Sequence, residues 1–160
     1  MTKTKAQQIM AATEARAADD VTAAIKDIAT EFEPYIIKQR RHFHKHPELS
    51  LAEERTTSDI ANQLDAMNIP YERPLKTGLV ATLRGTAPDA YREDGTPRRR
   101  ILLRADIDAL PIDERNDADW SSRNQGVMHA CGHDMHAAML LGAAKLLKAH
   151  QSELKGTVKL

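Results

Sequence analysis

The stretch HAAMLLGAAKLLKAHQSELKGTVKL, residues 136–160, decides the fold because it passes from a helical pattern directly to a strand pattern. Apolar residues recur at three- and four-residue steps and form one face of the predicted helix: Leu140, Ala143, Ala144 and Leu147. Gly142 lies within this pattern, and its missing side chain would let the helix approach a sheet closely. The final residues, GTVKL, are typical of a strand. This run therefore predicts a helix followed by a strand.

Two further strands are predicted upstream of this helix. TGLVATLRG, residues 77–85, alternates weakly and has glycines near both ends, as a short strand does. ILL, residues 101–103, is a continuous apolar run, which is typical of a strand buried on both faces. Because helices and strands alternate in the second half, we expect an α/β fold with helices packed on a mainly parallel sheet.

The first half of the chain is predicted to be helical. Four residues form one apolar stripe: Val21, Ile25, Ile28 and Phe32. A second helix is expected to begin at Pro34 and to end at Pro47. A third covers residues 52–68, with three apolar residues on one side: Ile60, Leu64 and Met67. We interpret residues 1–20 as a polar, partly frayed helical extension and residues 21–160 as one domain, incomplete for the reasons given below.

Length and composition indicate a soluble protein and exclude several classes of partner. The 160 residues suffice for one domain with a hydrophobic core. Lys plus Arg equals Asp plus Glu at 23 each, so the charge balance does not indicate a nucleic-acid partner. Apolar runs are too short to span a membrane, and the N-terminus has no apolar signal-peptide region. A single cysteine excludes an internal disulfide and favours the cytoplasm.

The segment HACGHD, residues 129–134, is the chemically richest part of the sequence. Cys131 and His133 are one residue apart, so in an extended or turn backbone both side chains can face one ion. Thiolate, imidazole and a nearby carboxylate suit zinc, manganese or cobalt. Asp134 is expected to begin the following helix and to cap it. Two ligands do not complete a zinc site, however, so this pattern alone indicates a metal site without establishing one.

Two other interpretations of Cys131 stay open at this point. A lone cysteine is often a small buried apolar residue. A cysteine nucleophile with His129 or His133 as its base is a third possibility. Residues so close along an extended chain seldom point at each other, and the sequence offers no obvious residue to orient the base. We therefore rank the nucleophile below the metal site.

Four motifs in a fixed order resemble one family of enzymes. They are RRHFHKHPELSLAEERTTSDI, residues 40–60, TGLVATLRG, residues 77–85, LLRADIDALPIDE, residues 102–114, and HACGHDMHAAMLLGAA, residues 129–144. Together they resemble the N-terminal part of the metal-dependent amidohydrolases that act on N-acyl amino acids, hippurate or auxin conjugates, in the aminoacylase and carboxypeptidase group. The resemblance implies the N-terminal part of a metallopeptidase-like catalytic domain.

The resemblance also implies roles for individual residues. Cys131 and His133 would be ligands of a pair of divalent metal ions, Mn²⁺, Zn²⁺ or Co²⁺. Asp108 stands where related peptidases have an aspartate that orients a ligand histidine, and Asp106 stands where they often have that histidine. Both aspartates would lie beside the metal at the carboxyl end of the strand at residues 101–103. Four other histidines are given no ligand role and are taken as structural, pocket or surface residues: His42, His44, His46 and His129. His136 is expected at most to support a ligand through a hydrogen bond, without binding the ion itself.

The resemblance further implies parts that this sequence does not contain. The family continues after the GTVKL-like strand into a segment resembling FQPAEEG, with a general-base glutamate and a ligand, and then into a lid and dimerisation domain. We therefore expect a truncated chain that hydrolyses small N-acyl amino acids weakly or not at all, with homodimers formed only by full-length relatives. The alternatives are a non-catalytic metal-binding or interaction module and, less favoured, a cysteine-nucleophile enzyme.

Overall fold

The computed structural model describes the backbone of residues 5–160, and side chains from residue 22 onward except that of residue 24. The chain forms two compact units, Met1–Glu33 and Pro34–Leu160. In the first unit, Ile25 of the predicted apolar stripe is exposed, while the side chain of Val21 lies outside the described residues. The predicted boundary between residues 20 and 21 stays a prediction.

Helix α1, Lys5–Lys45, is continuous through Pro34, so the prediction of a second helix beginning at Pro34 is wrong. A proline inside a helix removes one backbone hydrogen bond and crowds the preceding turn. The residues on both sides of Pro34 have helical patterns of their own, and these continue the helix across it. The predicted stop is confirmed, because α1 ends two residues before Pro47.

Helix α2, Glu54–Ala66, confirms the third predicted helix. Leu64 is buried in the main core, and Ile60 and Met67 pack against the same cluster. The start of α2 is held by the carboxylate of Glu48, which accepts hydrogen bonds from the backbone nitrogens of Arg55 (3.1 Å) and Thr56 (2.7 Å). Glu48 thus satisfies two of the amides that a helix N-terminus leaves unpaired.

The four strands form one mixed sheet. They are β1 (Tyr71–Glu72), β2 (Val80–Arg84), β3 (Arg100–Leu102) and β4 (Thr157–Lys159), in the order β1-β2-β4-β3. The strands predicted at residues 77–85, 101–103 and 156–160 are therefore confirmed, and so is the α/β class. The expectation of a mainly parallel sheet is wrong for this chain, because β2 pairs antiparallel with both β1 and β4, and only β3 and β4 are parallel.

Helix α3, His133–Ala149, and a short 3₁₀ turn at Gln151–Glu153 connect the parallel strands β3 and β4. Parallel strands need such a crossover because the chain must return to the same end of the sheet. The main core lies between the sheet and helices α2 and α3, and its buried members are Leu64, Ile69, Ala81, Leu83, Ala144 and Val158. Asp108 in the segment after β3 and His133 at the start of α3 are in contact, which brings these two chain segments together.

Strand β3 is not buried on both faces, contrary to the sequence prediction. Ile101 is 53% exposed and Leu102 is 73% exposed. The physical reason is the position of β3 at the end of the sheet, where β4 is its one neighbouring strand among the described residues. An apolar run specifies a strand, but burial depends on which elements cover it.

Gly142 does allow a close approach, but the neighbour is helix α1 and not the sheet. A Cβ built at Gly142 would lie 2.6 Å from both Cδ1 and Cγ1 of Ile36. Real Cβ atoms do not come so close to another carbon, so Ile36 occupies the space that a side chain would need. The missing side chain at Gly142 therefore makes room for the Ile36 side chain of α1 against α3.

Gly142→Ala is expected to destabilise the protein by about 1–3 kcal/mol, the usual range for overpacking a core. Helix propensity alone would give the opposite sign, a gain of about 1 kcal/mol. The free energy of unfolding in urea measures the difference. Ile36→Ala removes the crowding atoms and serves as the control, because Gly142→Ala should be neutral or stabilising in that background. Stabilisation by Gly142→Ala in the wild-type background would contradict the packing argument.

Within the part of the chain that the structure describes, no helix has the length and apolar character needed to cross a bilayer.

Candidate metal centre

His133 and Asp108 form a hydrogen-bonded pair where the segment after β3 meets the start of α3. His133 Nδ1 donates to Asp108 Oδ1 (2.8 Å) and also lies 3.1 Å from the Asp108 carbonyl oxygen. Both oxygens are acceptors, so Nδ1 must carry the proton. When the ring carries only this proton, Nε2 has a free lone pair, which is the arrangement that a carboxylate favours in metal-binding histidines.

Asp106 and His136 lie beside this histidine. One ligand atom from each of Asp106, His133 and His136 lies within 4.8 Å of the other two. The rings of His133 and His136 are stacked with centroids 5.4 Å apart, because the two residues are three positions apart on α3. Two imidazoles and a carboxylate are a donor set that suits zinc, manganese or cobalt, so these residues fit a divalent metal.

Asp106 has a cationic partner as well. Its Oδ1 accepts a hydrogen bond from Arg104 Nη2 (2.6 Å), and its Oδ2 lies 3.9 Å from His136 Nδ1. The histidine at position 136 was given no ligand role by sequence reasoning. Its spacing from His133 along a predicted helix is the signal that could have identified it.

Cys131 is not a member of this three-residue group. It is a free, exposed cysteine separated from His133 by Gly132, whose φ of +87° turns the chain sharply. Cys131 and the buried His129 line an open cavity of about 710 Å³, and His133 is absent from the described residues around it. The structure thus brings His133 together with Asp106 and Asp108, while a shared ion between Cys131 and His133 stays a prediction.

The geometry does not pair Cys131 with a base. Among the described residues, no hydrogen bond reaches the Cys131 sulfur, and both ring nitrogens of His129 lack a partner. His133 Nδ1 is already engaged by Asp108. A cysteine nucleophile requires a hydrogen-bonded base, so this arrangement favours the metal interpretation.

A buried network of polar and charged side chains contacts the first turn of α3 at Asp134, the residue after His133. His44 is 4% exposed; its Nδ1 lies 2.7 Å from Asp134 Oδ2 and 3.3 Å from Arg40 Nη2, and its Nε2 lies 3.1 Å from Glu114 Oε1. Arg40 Nε lies 2.9 Å from the same Asp134 oxygen. The prediction that Asp134 caps α3 is therefore wrong: Gly132 is the cap residue, no side chain bonds there, and Asp134 points into this network instead.

Two groups around this network have displaced pKa values. Burial lowers the pKa of the His129 imidazole, against the opposing attraction of the Asp134 carboxylate, so the ring is neutral at pH 7. Burial alone would raise the pKa of Glu114. Hydrogen bonds from the Ser122 amide and the His44 ring outweigh burial and hold the pKa of Glu114 below its usual value. Glu114 is thus the ionised partner of His44.

Comparison with known proteins shows which family this chain is similar to. Residues 102–160 match the model of peptidase family M20/M25/M40. Over these residues the chain is similar to the M20 peptidases. It is 41% identical over 136 residues to an N-acyl-L-amino acid amidohydrolase of Geobacillus stearothermophilus, covering 84% of this chain and 34% of that protein. It is 44% identical over 133 residues to an N-acetylcysteine deacetylase of Bacillus subtilis, covering 80% and 32%.

A solved structure shows the same relationship in three dimensions. A dinuclear metal binding peptidase of the M20 family from Bacillus subtilis superposes with a TM-score of 0.69 and 42% sequence identity, over 84% of this chain and 35% of that one. This M20-related chain therefore spans about a third of the length of the relatives that it matches, and it corresponds to their N-terminal part.

Proposed function

We propose that the M20-related unit, Pro34–Leu160, contributes to a divalent-metal centre that hydrolyses the amide bond of N-acyl amino acids. The single observation that carries this proposal is the Asp108–His133 hydrogen bond with Asp106 and His136 beside it. The names of the relatives support the substrate class, since one is an N-acyl-L-amino acid amidohydrolase and another an N-acetylcysteine deacetylase.

The residues have separate proposed roles. Cys131 and His133 are metal ligands. Asp108 holds the His133 ring in the tautomer that binds metal. Asp106 lies next to the ion, and His136 is a further donor. Bound Zn²⁺, Mn²⁺ or Co²⁺, in a pair of ions, would polarise the amide carbonyl and lower the pKa of a bound water. The thiolate favours zinc or cobalt among these metals.

The whole reaction is proposed for the longer relatives. The general-base glutamate is not among the residues assigned here, and loss of a general base typically costs about 10²–10⁴-fold in rate. We therefore expect these 160 residues alone to hydrolyse N-acyl amino acids weakly or not at all. A small N-acyl amino acid or peptide is the proposed substrate, with no nucleic-acid or membrane partner. We propose that only the longer relatives form dimers. Because the chain has a single cysteine, we propose a cytoplasmic location.

Alkylation of Cys131 by iodoacetamide tests the metal role against the alternatives. Zn²⁺ bound through the sulfur is expected to slow labelling at least about 10-fold, and EDTA should restore the rate, because a coordinated thiolate is a poor nucleophile. Equal labelling with and without Zn²⁺ and EDTA would contradict metal ligation and favour a thiol enzyme.

An activity assay on the same preparation separates the hydrolase from a non-catalytic module. N-acetylated amino acids are incubated with the chain loaded with Mn²⁺, with the EDTA-treated chain as control. We expect little release of the free amino acid. Substantial hydrolysis that disappears both with EDTA and in Cys131→Ala would contradict the expected weak activity of this length of chain, while supporting the role of the metal.

A further inference from the structure

His44 connects three separate segments of the M20-related unit. It lies on α1, its Nδ1 contacts Asp134 on α3, and its Nε2 contacts Glu114 in the segment after β3. The side chains of all three residues are at most 6% exposed. Removing one partner of a buried charged pair is strongly destabilising, so these contacts are expected to keep the three side chains together.

The contact with Asp134 acts on the proposed metal ligands. Asp134 is the residue after His133 in the first turn of α3. Its Oδ2 is held from two sides, by His44 Nδ1 at 2.7 Å and by Arg40 Nε at 2.9 Å. Arg40 and His44 lie four residues apart on α1, so both reach α3 from one helix face. Together they hold the first turn of α3 against α1.

The contact with Glu114 restrains the loop after β3, which pairs with the chain before Cys131. Glu114 Oε2 also accepts a hydrogen bond from the Ser122 amide (2.6 Å). The same loop pairs with the chain just before the ligands, because Leu110 and Met128 exchange two backbone hydrogen bonds of 2.9 and 3.0 Å. Hydrogen bonds therefore restrain the chain both before Cys131, at Met128, and after it, at Asp134.

Cys131 has no comparable restraint of its own. Its side chain is exposed, no described residue hydrogen-bonds to its sulfur, and the buried His129 two positions earlier has no polar partner. Metal ligands must be held within about 0.5 Å of their binding geometry. For the segment from Cys131 to His133, the buried polar anchor is Asp134, which His44 holds.

We propose that His44 is a positioning residue that, through Asp134 and Glu114, holds Cys131 and His133 in the geometry that binds metal. This inference rests on the proposed metal centre. It assigns to a histidine 87 residues before Cys131 a part in metal affinity, without direct contact with the ion. Loss of a group that supports a metal ligand typically weakens binding by about 10–100-fold.

Cobalt titration of the full chain tests the proposal. In His44→Asn and, separately, in Glu114→Gln, the dissociation constant for Co²⁺ is expected to rise about 10–100-fold, and the cobalt–thiolate absorption should weaken at saturation. His42→Asn is the matched control, because His42 lies on the same helix and pairs with an aspartate, Asp59, at 2.7 Å in a more exposed site. Far-UV circular dichroism verifies that each variant is folded. Glu114→Gln keeps the shape of the side chain and provides the test if His44→Asn does not fold.

The outcomes separate this proposal from the proposed function. Wild-type cobalt affinity and absorption in a folded His44→Asn or Glu114→Gln variant would overturn the positioning role and leave the metal centre intact. An equal loss in His42→Asn would also overturn it, since the effect would then be a general one of α1. Absence of cobalt–thiolate absorption in the wild-type chain would overturn both proposals.

Discussion

His133→Ala is expected to weaken Zn²⁺ binding by more than about 100-fold, above the 10–100-fold range for losing a group that merely supports a ligand. The reason is that Asp108 binds His133 Nδ1 and leaves Nε2 as the nitrogen proposed to bind the metal. The His133 ring also lies next to Asp106 and His136. Competition with a chromophoric zinc chelator measures the affinity.

Asp108→Asn and His150→Ala provide the controls for this measurement. The asparagine oxygen can still accept from His133 Nδ1, but it lacks the negative charge, so the expected loss of affinity is only about 10–100-fold. His150 pairs with Glu153 (2.8 Å) beyond the far end of α3, and its removal should leave the affinity unchanged. Equal affinities of wild type and His133→Ala would exclude His133 as a ligand.

Asp134→Ala is expected to lower the free energy of unfolding by about 3–5 kcal/mol, the usual range when one member of a buried ion pair is removed. The side chain of Asp134 is 1% exposed, and its loss leaves His44 buried without that partner. Chemical denaturation monitored by circular dichroism measures the change.

Asp59→Ala is the matched control for Asp134→Ala. It also removes an aspartate 2.7 Å from a histidine of α1, but Asp59 and His42 are 30% and 39% exposed. Water can replace the lost contact there, so the expected change is at most about 1 kcal/mol. Similar losses in the two variants would contradict the structural importance assigned to the buried network.

Local periodicity was sufficient to predict most helices and strands. Leu64 and Ala144, both predicted on apolar helix faces, are buried in the main core, and strands β2, β3 and β4 lie where short apolar runs and glycines indicated them. Strand β1 was not predicted. What failed depended on neighbours distant in the sequence. Leu102 is exposed because β3 lies at the end of the sheet, and Gly142 faces α1 because Ile36 fills the space there.

The candidate site was predictable only in part. The resemblance to the amidohydrolases implied roles for Cys131, His133, Asp106 and Asp108, and these roles stay predictions, while the structure pairs His133 with Asp108. His44 was assigned only a structural or surface position, because its partners lie 70 and 90 residues further along the chain. No local spacing could indicate those contacts.

X-ray absorption spectroscopy of the zinc-loaded chain tests the central claim most directly, namely that this segment holds a divalent metal through Cys131 and His133. Zinc–sulfur bonds lie at about 2.3 Å and zinc–imidazole bonds at about 2.0–2.1 Å, so the two kinds of ligand are resolved in one spectrum. We predict one sulfur and at least one imidazole around zinc in the wild-type chain, with the sulfur lost in Cys131→Ala and an imidazole lost in His133→Ala. A shell of oxygen and nitrogen alone, identical in wild type and both variants, would contradict the account.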